Sequence, residues 1–160
     1  LNNGVIPIIA FNYGARDKKR ITATLKFACT IAVSIMAVGT ALMWIMPETM
    51  LRLFEASDDM MAIGVPALRI ISTIFVVAGV NISLGSSFQA LGKSVFSTIT
   101  SFCRQIIVLL PAAYLLSKTG VLNYVWLAFP MSEIMSLIVS LICFRYIYKT
   151  LIAKLEKNKA

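Results

Sequence analysis

Long stretches without charged side chains constrain this fold more than any other feature. Residues 27–47 and 70–92 contain no charge, while residues 94–117 and 119–144 contain one each, Arg104 and Glu133. A helix needs about 20 such residues to cross the hydrocarbon core of a bilayer. The sequence therefore predicts a chain made of membrane-spanning segments.

The composition agrees with that class. Apolar residues make up 59% of the chain and charged residues 14%, whereas soluble proteins are about 45–50% apolar and about 25% charged. Only helices and closed barrels satisfy their backbone hydrogen bonds in lipid, and barrel strands would alternate over about ten residues. We predict an all-α fold, a polytopic transmembrane helical bundle of four full spans preceded by the end of a fifth.

The connectors between the apolar runs define the predicted segments. These are a partial span over residues 1–13, full spans over 27–47, 60–92, 94–117 and 121–145, and a basic tail over 146–160. Such short connectors produce antiparallel neighbours in a bundle. Because the chain starts within an apolar run, we expect it to be part of a longer protein.

Basic residues are distributed unevenly between the two predicted ends of the bundle. One end carries eleven: Arg16, Lys18, Lys19, Arg20, Lys26, Lys93, Arg145, Lys149, Lys154, Lys157 and Lys159. The other end carries Arg52 and Lys118, with the acids Glu48, Glu55, Asp58 and Asp59. Cytoplasmic loops are enriched in Lys and Arg. We therefore predict a multi-pass protein of the cell (plasma or inner) membrane with a cytoplasmic C-terminus, whose net charge of +8 serves topology rather than nucleic-acid binding.

The residue types exclude much of enzyme chemistry. The chain has no His, and its three cysteines, Cys29, Cys103 and Cys143, are isolated within apolar runs. That pattern contains no zinc-like spacing. We expect no metal site, no cofactor and no enzyme.

Three charged residues lie inside the predicted spans, where a charge costs about 2.5–3.5 kcal/mol. At 1.5 Å per residue, Arg104 lies roughly 15 Å and Glu133 roughly 16 Å from the basic end of their spans, so the two should meet near the middle of the membrane. Arg69 is predicted to lie in the same layer. The layer has two interpretations: an ion pair that only fixes two helices, or a wet cavity in which a solute or coupling ion binds.

Prolines and polar residues inside the spans add further candidates. Pro66, Pro111 and Pro130 are predicted to kink their helices, as in transporters with broken helices at their sites. A polar run in the predicted span 60–92 comprises Asn81, Ser83, Ser86, Ser87 and Gln89. Of these, Asn81 and Gln89 are candidates for substrate or ion contact, although such residues also join helices in membranes.

Several motifs resemble one transporter family. The stretch PIIAFNYGARDKKRI, with Pro7, Asn12, Tyr13, Gly14 and Ala15, is similar to the signature that ends the second helix of the C-terminal lobe in MATE (multidrug and toxic compound extrusion) transporters. SSFQALGKS resembles the end of the fourth helix of that lobe, RQIIVLLPAAYLL its fifth helix and VWLAFPMSEIMSLIVSLICFRY its sixth.

The resemblance implies a function and a missing partner. The chain would be an incomplete C-terminal lobe of a two-lobe secondary antiporter, which exports organic, often cationic, compounds or drugs in exchange for Na⁺ or H⁺. Its expected partners are the bilayer, the N-terminal lobe of the same transporter and small organic substrates. Some members carry a coupling carboxylate in the helix that corresponds to residues 60–92, where this sequence has none. The resemblance therefore leaves Glu133 as the membrane-embedded acid for ion or substrate contact.

Other functions are open at this point. A lipid-linked oligosaccharide flippase of related architecture would use basic residues such as Arg69 and Arg104 to hold a pyrophosphate. An intramembrane enzyme would need a His, a paired Asp or a Ser–Lys dyad, which the spans lack. The 160-residue chain alone is expected to be inactive without the other lobe.

Overall fold

The computed structural model describes residues 2–157. Leu1 of the first predicted segment and residues 158–160 of the predicted tail, Lys159 among them, lie outside this range. Residues 2–157 form helices and no strand, which confirms the predicted all-α fold.

The helices follow one another with short connections. In chain order they are α1 (Asn2–Gly14), α2 (Lys18–Ile45), α3 (Pro47–Arg52), α4 (Asp58–Ser72), α5 (Phe75–Ala90), α6 (Ser94–Phe102), α7 (Leu110–Ser117), α8 (Leu122–Val125), α9 (Ala128–Ile147) and α10 (Lys154–Lys157). There are also two π-helical segments: π1 (Cys103–Leu109) connects α6 to α7, and π2 (Tyr148–Ile152) follows α9.

Three helical lengths are long and apolar enough to cross a membrane, namely Lys18–Ile45 (α2), Ser94–Ser117 (α6, π1 and α7) and Leu122–Ile152 (α8, α9 and π2). Helices α4 and α5 form a fourth length only as a pair, because they are bent by 54° at their junction. Helix α2 begins at Lys18, before the predicted start at residue 27, because the Asp17 carboxylate caps it by accepting from the Arg20 amide at 3.0 Å. The helix therefore extends beyond the apolar run.

At the bend between α4 and α5, hydroxyl side chains bond to backbone carbonyls. The Ser72 hydroxyl donates to the Arg69 carbonyl at 3.2 Å, and the Thr73 hydroxyl donates to the Ile70 carbonyl at 2.7 Å. Such bonds compete with the regular helical ladder and bend helices. From α2, the Thr40 hydroxyl donates to the Ser72 carbonyl at 3.0 Å. Hydrogen bonds from α2 and from the end of α4 are therefore both present at the bend.

Helix α5 occupies the centre of the bundle and packs against α1, α2, α6 and α9. Gly79 allows α5 to approach α2 closely, since a Cβ there would lie 3.2 Å from the Ala32 carbonyl oxygen. The largest fully buried apolar side chains, Ile9, Ile21, Phe88 and Ile147, cluster at the basic end. Elsewhere many large apolar side chains are exposed, as expected for surfaces that face lipid or another part of a membrane protein.

Candidate functional site

Glu133, in the second turn of α9, is held by donors from two other elements. Arg104 Nη1, from π1, lies 2.6 Å from Glu133 Oε1. Asn81 Nδ2, from α5, donates to Glu133 Oε2 at 2.8 Å and lies 3.2 Å from the Glu133 carbonyl oxygen. The predicted contact between Arg104 and Glu133 is therefore present, and Asn81 completes a cluster that we call the carboxylate cluster.

The exposure of the two charged side chains differs. The Glu133 side chain is 12% exposed, whereas the Arg104 side chain is 35% exposed. The carboxylate is therefore largely enclosed, while the guanidinium also faces open space. Because pairing and hydrogen bonding offset the cost of burying a charge, the cluster is consistent with a position inside the bundle.

Arg104 lies in the π-helical segment π1. Segment π1 ends just before Pro111, and the Leu110 amide donates to the Gln105 carbonyl, five residues back. Proline has no N–H and cannot continue a regular ladder. A π-helical turn is rare and often occurs at functional sites. The predicted irregularity at Pro111 thus takes the form of a π-helix on its N-terminal side.

Asn81 has an unusual environment. Only 8% of its surface is exposed, and its Oδ1 is buried without a hydrogen-bond partner among the residues that the structure describes. Flipping the amide would turn this oxygen toward the Glu133 carboxylate, so the orientation is fixed by the donor that Glu133 requires. The amide therefore retains one unused acceptor inside the site.

A polar cleft of about 140 Å³ adjoins the cluster between α5, α6, π1 and α9. Its lining includes Asn81, Gln89, Ser97, Ser101, Arg104 and Ser136. The Gln89 amide donates to the Ser97 hydroxyl at 3.2 Å and so connects α5 to α6. Both predicted polar candidates of α5 therefore line one cleft together with Arg104. Ser97, Ser101 and Ser136 were not singled out from the sequence.

Of the serines in the polar run, Ser86 lines the cleft, whereas Ser83 and Ser87 serve helix packing. Ser83 and Ser87 are buried, and their hydroxyls donate to the Gly79 and Leu84 carbonyls of their own helix at 3.0 and 2.6 Å. Helix α9, which packs against α5, carries buried Ser132, Ser136 and Ser140 at intervals of four residues. Small residues let membrane helices approach closely. The spacing of four in α9 is the signal that could have identified this face from the sequence.

Arg69 does not join the carboxylate cluster, contrary to the prediction of one layer with three charges. It lies in the last turn of α4, its surface is exposed, and the described residues supply its side chain with no ion pair. The depth estimate assumed a straight helix at 1.5 Å per residue. The residues counted, from Met60 to Arg69, all lie in α4 before the 54° bend. The count gives a depth along the helix and does not specify the helix face that carries Arg69.

Two of the proline predictions also need correction. Pro66 lies inside α4, but the bend falls further on, between Ser72 and Phe75. Pro130 is the third residue of α9, where the amide has no intrahelical acceptor in any case. It therefore starts a helix rather than kinking one.

The family-like motif forms the turn from α1 to α2. Pro7 lies within α1, Gly14 ends it and Ala15 follows. The amide of Asp17 donates to the Asn12 carbonyl at 3.0 Å, and that of Arg16 donates to the Tyr13 carbonyl at 3.1 Å, which is the Schellman pattern of a helix end. Arg16, not Gly14, adopts the left-handed conformation, with φ of 56°. Asn12 is buried, and its side chain donates to the Ile8 carbonyl at 2.8 Å.

Within residues 2–157 no group of three or more His, Cys, Asp or Glu side chains is arranged to hold a metal ion. The carboxylate cluster offers one acid already paired with Arg104. The cluster therefore offers polar contacts that a ligand could replace: the largely enclosed Glu133 carboxylate, the partly exposed Arg104 guanidinium and the Asn81 amide oxygen, which has no donor among the described residues.

Comparisons with known proteins agree on one family. The family model MatE matches residues 1–115, well over half of the chain. The multidrug export protein MepA of Staphylococcus haemolyticus (strain JCSC1435) is 24% identical over 127 residues, which cover 79% of this chain and 28% of that protein.

Solved structures show the same fold. An inward-facing multidrug resistance MATE family transporter of the MOP superfamily superposes with a TM-score of 0.86 at 21% identity, over 99% of this chain and 36% of that one. A ligand-bound structure of the MATE multidrug transporter DinF-BH gives a TM-score of 0.79 at 30% identity, over 94% of this chain and 34% of that one. The chain thus spans about a third of the length of these structures.

Proposed function

Because the chain belongs to the MatE family, we propose that it forms part of a membrane transporter that exports small organic, often cationic, compounds in exchange for Na⁺ or H⁺. Members of this family are transporters and not enzymes. The observation that supports the proposal is the family match over residues 1–115, together with likeness to MATE structures over nearly the whole chain.

The rest of the transporter is part of the same proposal. The chain covers about a third of the solved structures it resembles, and its resemblance to the later helices of a C-terminal lobe suggests that an N-terminal lobe completes it. On this proposal the exposed apolar surfaces of the bundle face lipid or that lobe. The 160 residues alone would then have no complete substrate pathway.

Within the bundle, Glu133 is the residue that we assign to cation contact. Its carboxylate lies beside the polar cleft, and its partner Arg104 is partly exposed. A cationic substrate or coupling ion would have to compete with the guanidinium for the carboxylate. Such competition would link cation binding to a rearrangement of α9 against π1, because each side of the ion pair belongs to a different element.

The flippase alternative is not favoured. The family model and the relatives named above are of MATE multidrug transporters. In addition, Arg69 lies outside the carboxylate cluster, so the cluster offers one basic side chain rather than two to a pyrophosphate.

An export assay tests this function. The full-length transporter would be expressed in drug-sensitive cells, and efflux of a fluorescent organic cation such as ethidium would be measured. We expect Glu133→Gln to lower efflux several-fold at equal membrane expression, and Glu48→Gln, which removes an acid from α3, to leave efflux unchanged. No efflux by the wild-type protein would refute the transport proposal, and normal efflux by Glu133→Gln would refute the role of this carboxylate.

A further inference from the structure

The polar cleft beside the carboxylate cluster has one charged group in its wall. Among the described residues that line it, Arg104 carries the only charge, and most of the others have hydroxyl or amide side chains. Arginine has five N–H donors, and the structure gives the Arg104 side chain one acceptor within residues 2–157, the Glu133 carboxylate. Because 35% of that side chain is exposed, further N–H groups remain available to a ligand in the cleft.

We propose that this cleft binds a zwitterionic head of an organic substrate, in which a carboxylate and an ammonium group lie close together as they do in amino acids. The inference rests on the proposed transport function and specifies its substrate class. Guanidinium groups hold carboxylates through two parallel hydrogen bonds. Hydroxyls in the same wall, such as those of Ser101 and Ser136, can also donate to carboxylate oxygens.

Charge balance selects a zwitterion over a simple anion or cation. Arg104 and Glu133 form a pair without net charge, so a simple anion would bring an unmatched negative charge into the membrane interior, which is costly. A simple cation that took Glu133 would leave the Arg104 guanidinium without a partner. A zwitterion replaces one ion pair with two, because its carboxylate pairs with Arg104 and its ammonium group with Glu133. Every charge then keeps a partner.

Asn81 provides an acceptor for the ammonium group. Its Nδ2 donates to Glu133 Oε2 at 2.8 Å, and its Oδ1 is buried without a donor among the described residues. A buried acceptor without a donor costs free energy. An ammonium group that reached Glu133 would have three N–H donors, one for the carboxylate and another for this oxygen. A quaternary ammonium group could satisfy neither with a hydrogen bond.

The size of the cleft limits which part of the substrate enters it. Its volume is about 140 Å³, whereas sites that enclose a whole drug-sized ligand are about 300–1,000 Å³. The cleft therefore accommodates the charged head of a substrate, and the rest of the molecule would lie outside it.

Fluorescence binding to the purified full-length transporter in detergent tests this inference. The probes are ε-dansyl-lysine, its methyl ester and its Nα-acetyl derivative, which carry one fluorophore on a zwitterionic, a cationic and an anionic head. We expect the wild-type protein to bind the zwitterion about tenfold more tightly than either derivative, because it alone keeps both charged groups of the site hydrogen-bonded. A derivative that binds as tightly as the zwitterion would overturn the inference.

Three variants show whether the preference comes from Arg104. The double variant Arg104→Met, Glu133→Gln leaves no unmatched charge, so it should fold and lose the preference for the zwitterion. Arg104→Lys keeps a positive partner for Glu133 without the guanidinium fork, and should bind the zwitterion several-fold more weakly at an unchanged unfolding temperature. Arg69→Gln removes a positive charge from α4, outside the cleft lining, and should retain the preference. A preference that persists in the double variant, or that is lost in Arg69→Gln, would contradict the role of Arg104.

Thiol labelling tests whether the cleft is open in the whole transporter. In a protein without other reactive cysteines, a Ser101→Cys thiol should react with a small thiol reagent, and ε-dansyl-lysine should protect it while the methyl ester does not. A thiol that is blocked without any probe would mean that another part of the transporter fills the cleft, which overturns the site.

The binding and export measurements separate the two proposals. A wild-type protein that exports ethidium but shows no preference for the zwitterion would refute the zwitterion site and leave the transport function intact. Preferential binding of the zwitterion without efflux of any compound would support the site and refute transport.

Discussion

Glu133 fits a bundle interior because each of its carboxylate oxygens has a donor. Arg104 serves one oxygen and Asn81 the other. Removing one partner of a buried ion pair leaves an unmatched charge and costs about 3–5 kcal/mol, whereas removing both partners is far milder. The stability of the site therefore depends on Glu133, Arg104 and Asn81 being present together rather than on any one of them.

A double-mutant cycle tests this dependence. We expect Arg104→Met and Glu133→Gln each to lower the unfolding temperature of the full-length transporter, and the double variant to be more stable than the sum of the single effects implies. The coupling energy should be about 1–3 kcal/mol. Melting curves of purified protein in detergent would provide it, and additive effects would contradict a direct contact in the folded transporter.

At the residue scale the sequence predicted the ion pair but not its environment. Counting residues from the span ends placed Arg104 and Glu133 at one depth, since both lie on continuous helical lengths. The same count did not distinguish Arg69, which lies outside the cluster, because counting residues gives a depth and not the helix face on which a side chain lies. Which members of the polar run face Glu133 depends on the rotation of α5, and no single sequence specifies that rotation. Asn81 was therefore a candidate without an assigned partner.

The bend between α4 and α5 depends on a hydrogen bond from a third helix. The Thr40 hydroxyl of α2 has a single hydrogen, and its oxygen lies 2.9 Å from the Met36 carbonyl oxygen and 3.0 Å from the Ser72 carbonyl oxygen, so the two carbonyls share this donor. We expect Thr40→Val to destabilise the full-length transporter by about 1–3 kcal/mol, because a buried carbonyl would lose its donor.

Thr30 provides the matched control for this prediction. It also lies on α2, but its hydroxyl donates only to the Lys26 carbonyl of the same helix, at 3.0 Å, in an exposed position. Thr30→Val should therefore change the unfolding temperature much less. Equal effects of the two substitutions in thermal unfolding would show that the contact with Ser72 contributes nothing to stability.

The turn between α1 and α2 carries a local strain that substitution can relieve. Arg16 adopts φ of 56°, a conformation that costs an L-residue about 1–2 kcal/mol relative to glycine. Arg16→Gly should therefore stabilise the transporter by about 1 kcal/mol. Ala15→Gly, at the adjacent position without positive φ, should destabilise it slightly. Chemical denaturation of both variants would check the prediction, and a destabilised Arg16→Gly would contradict it.

At the element scale the sequence specified helices well and their interruptions poorly. Uncharged runs predict where a helix can cross lipid, and the helical lengths observed agree with that physical requirement. The break at Thr73 and Ile74 contains no Pro or Gly, so the usual breaker residues do not mark it. Conversely, Pro130 was predicted to kink a helix, but it lies in the first turn of α9. Ser and Thr hydroxyls that bond to backbone carbonyls are a weaker sequence signal for a helix break than Pro or Gly.

The whole bundle has an uneven interior that reflects its surroundings. Its largest fully buried apolar side chains cluster at the basic end, while large apolar residues such as Ile45, at 77% exposure, lie on the outside. In water such a surface would be unfavourable. In a membrane it is the expected exterior, and the basic end is then the part of the bundle most firmly packed against itself.

The orientation of this bundle is the prediction that concerns the whole molecule. The basic end should face the cytoplasm, because Lys and Arg are retained on that side during insertion. Arg20 is a suitable reporter at that end, since its side chain is 74% exposed, and Lys118 is its counterpart in the connector after α7. In intact cells that express a full-length transporter lacking other reactive cysteines, a membrane-impermeant thiol reagent should label Lys118→Cys readily. It should label Arg20→Cys only after permeabilisation. The opposite pattern would reverse the topology and place the C-terminus outside, because α9 and its extension π2 end on the same side as Arg20.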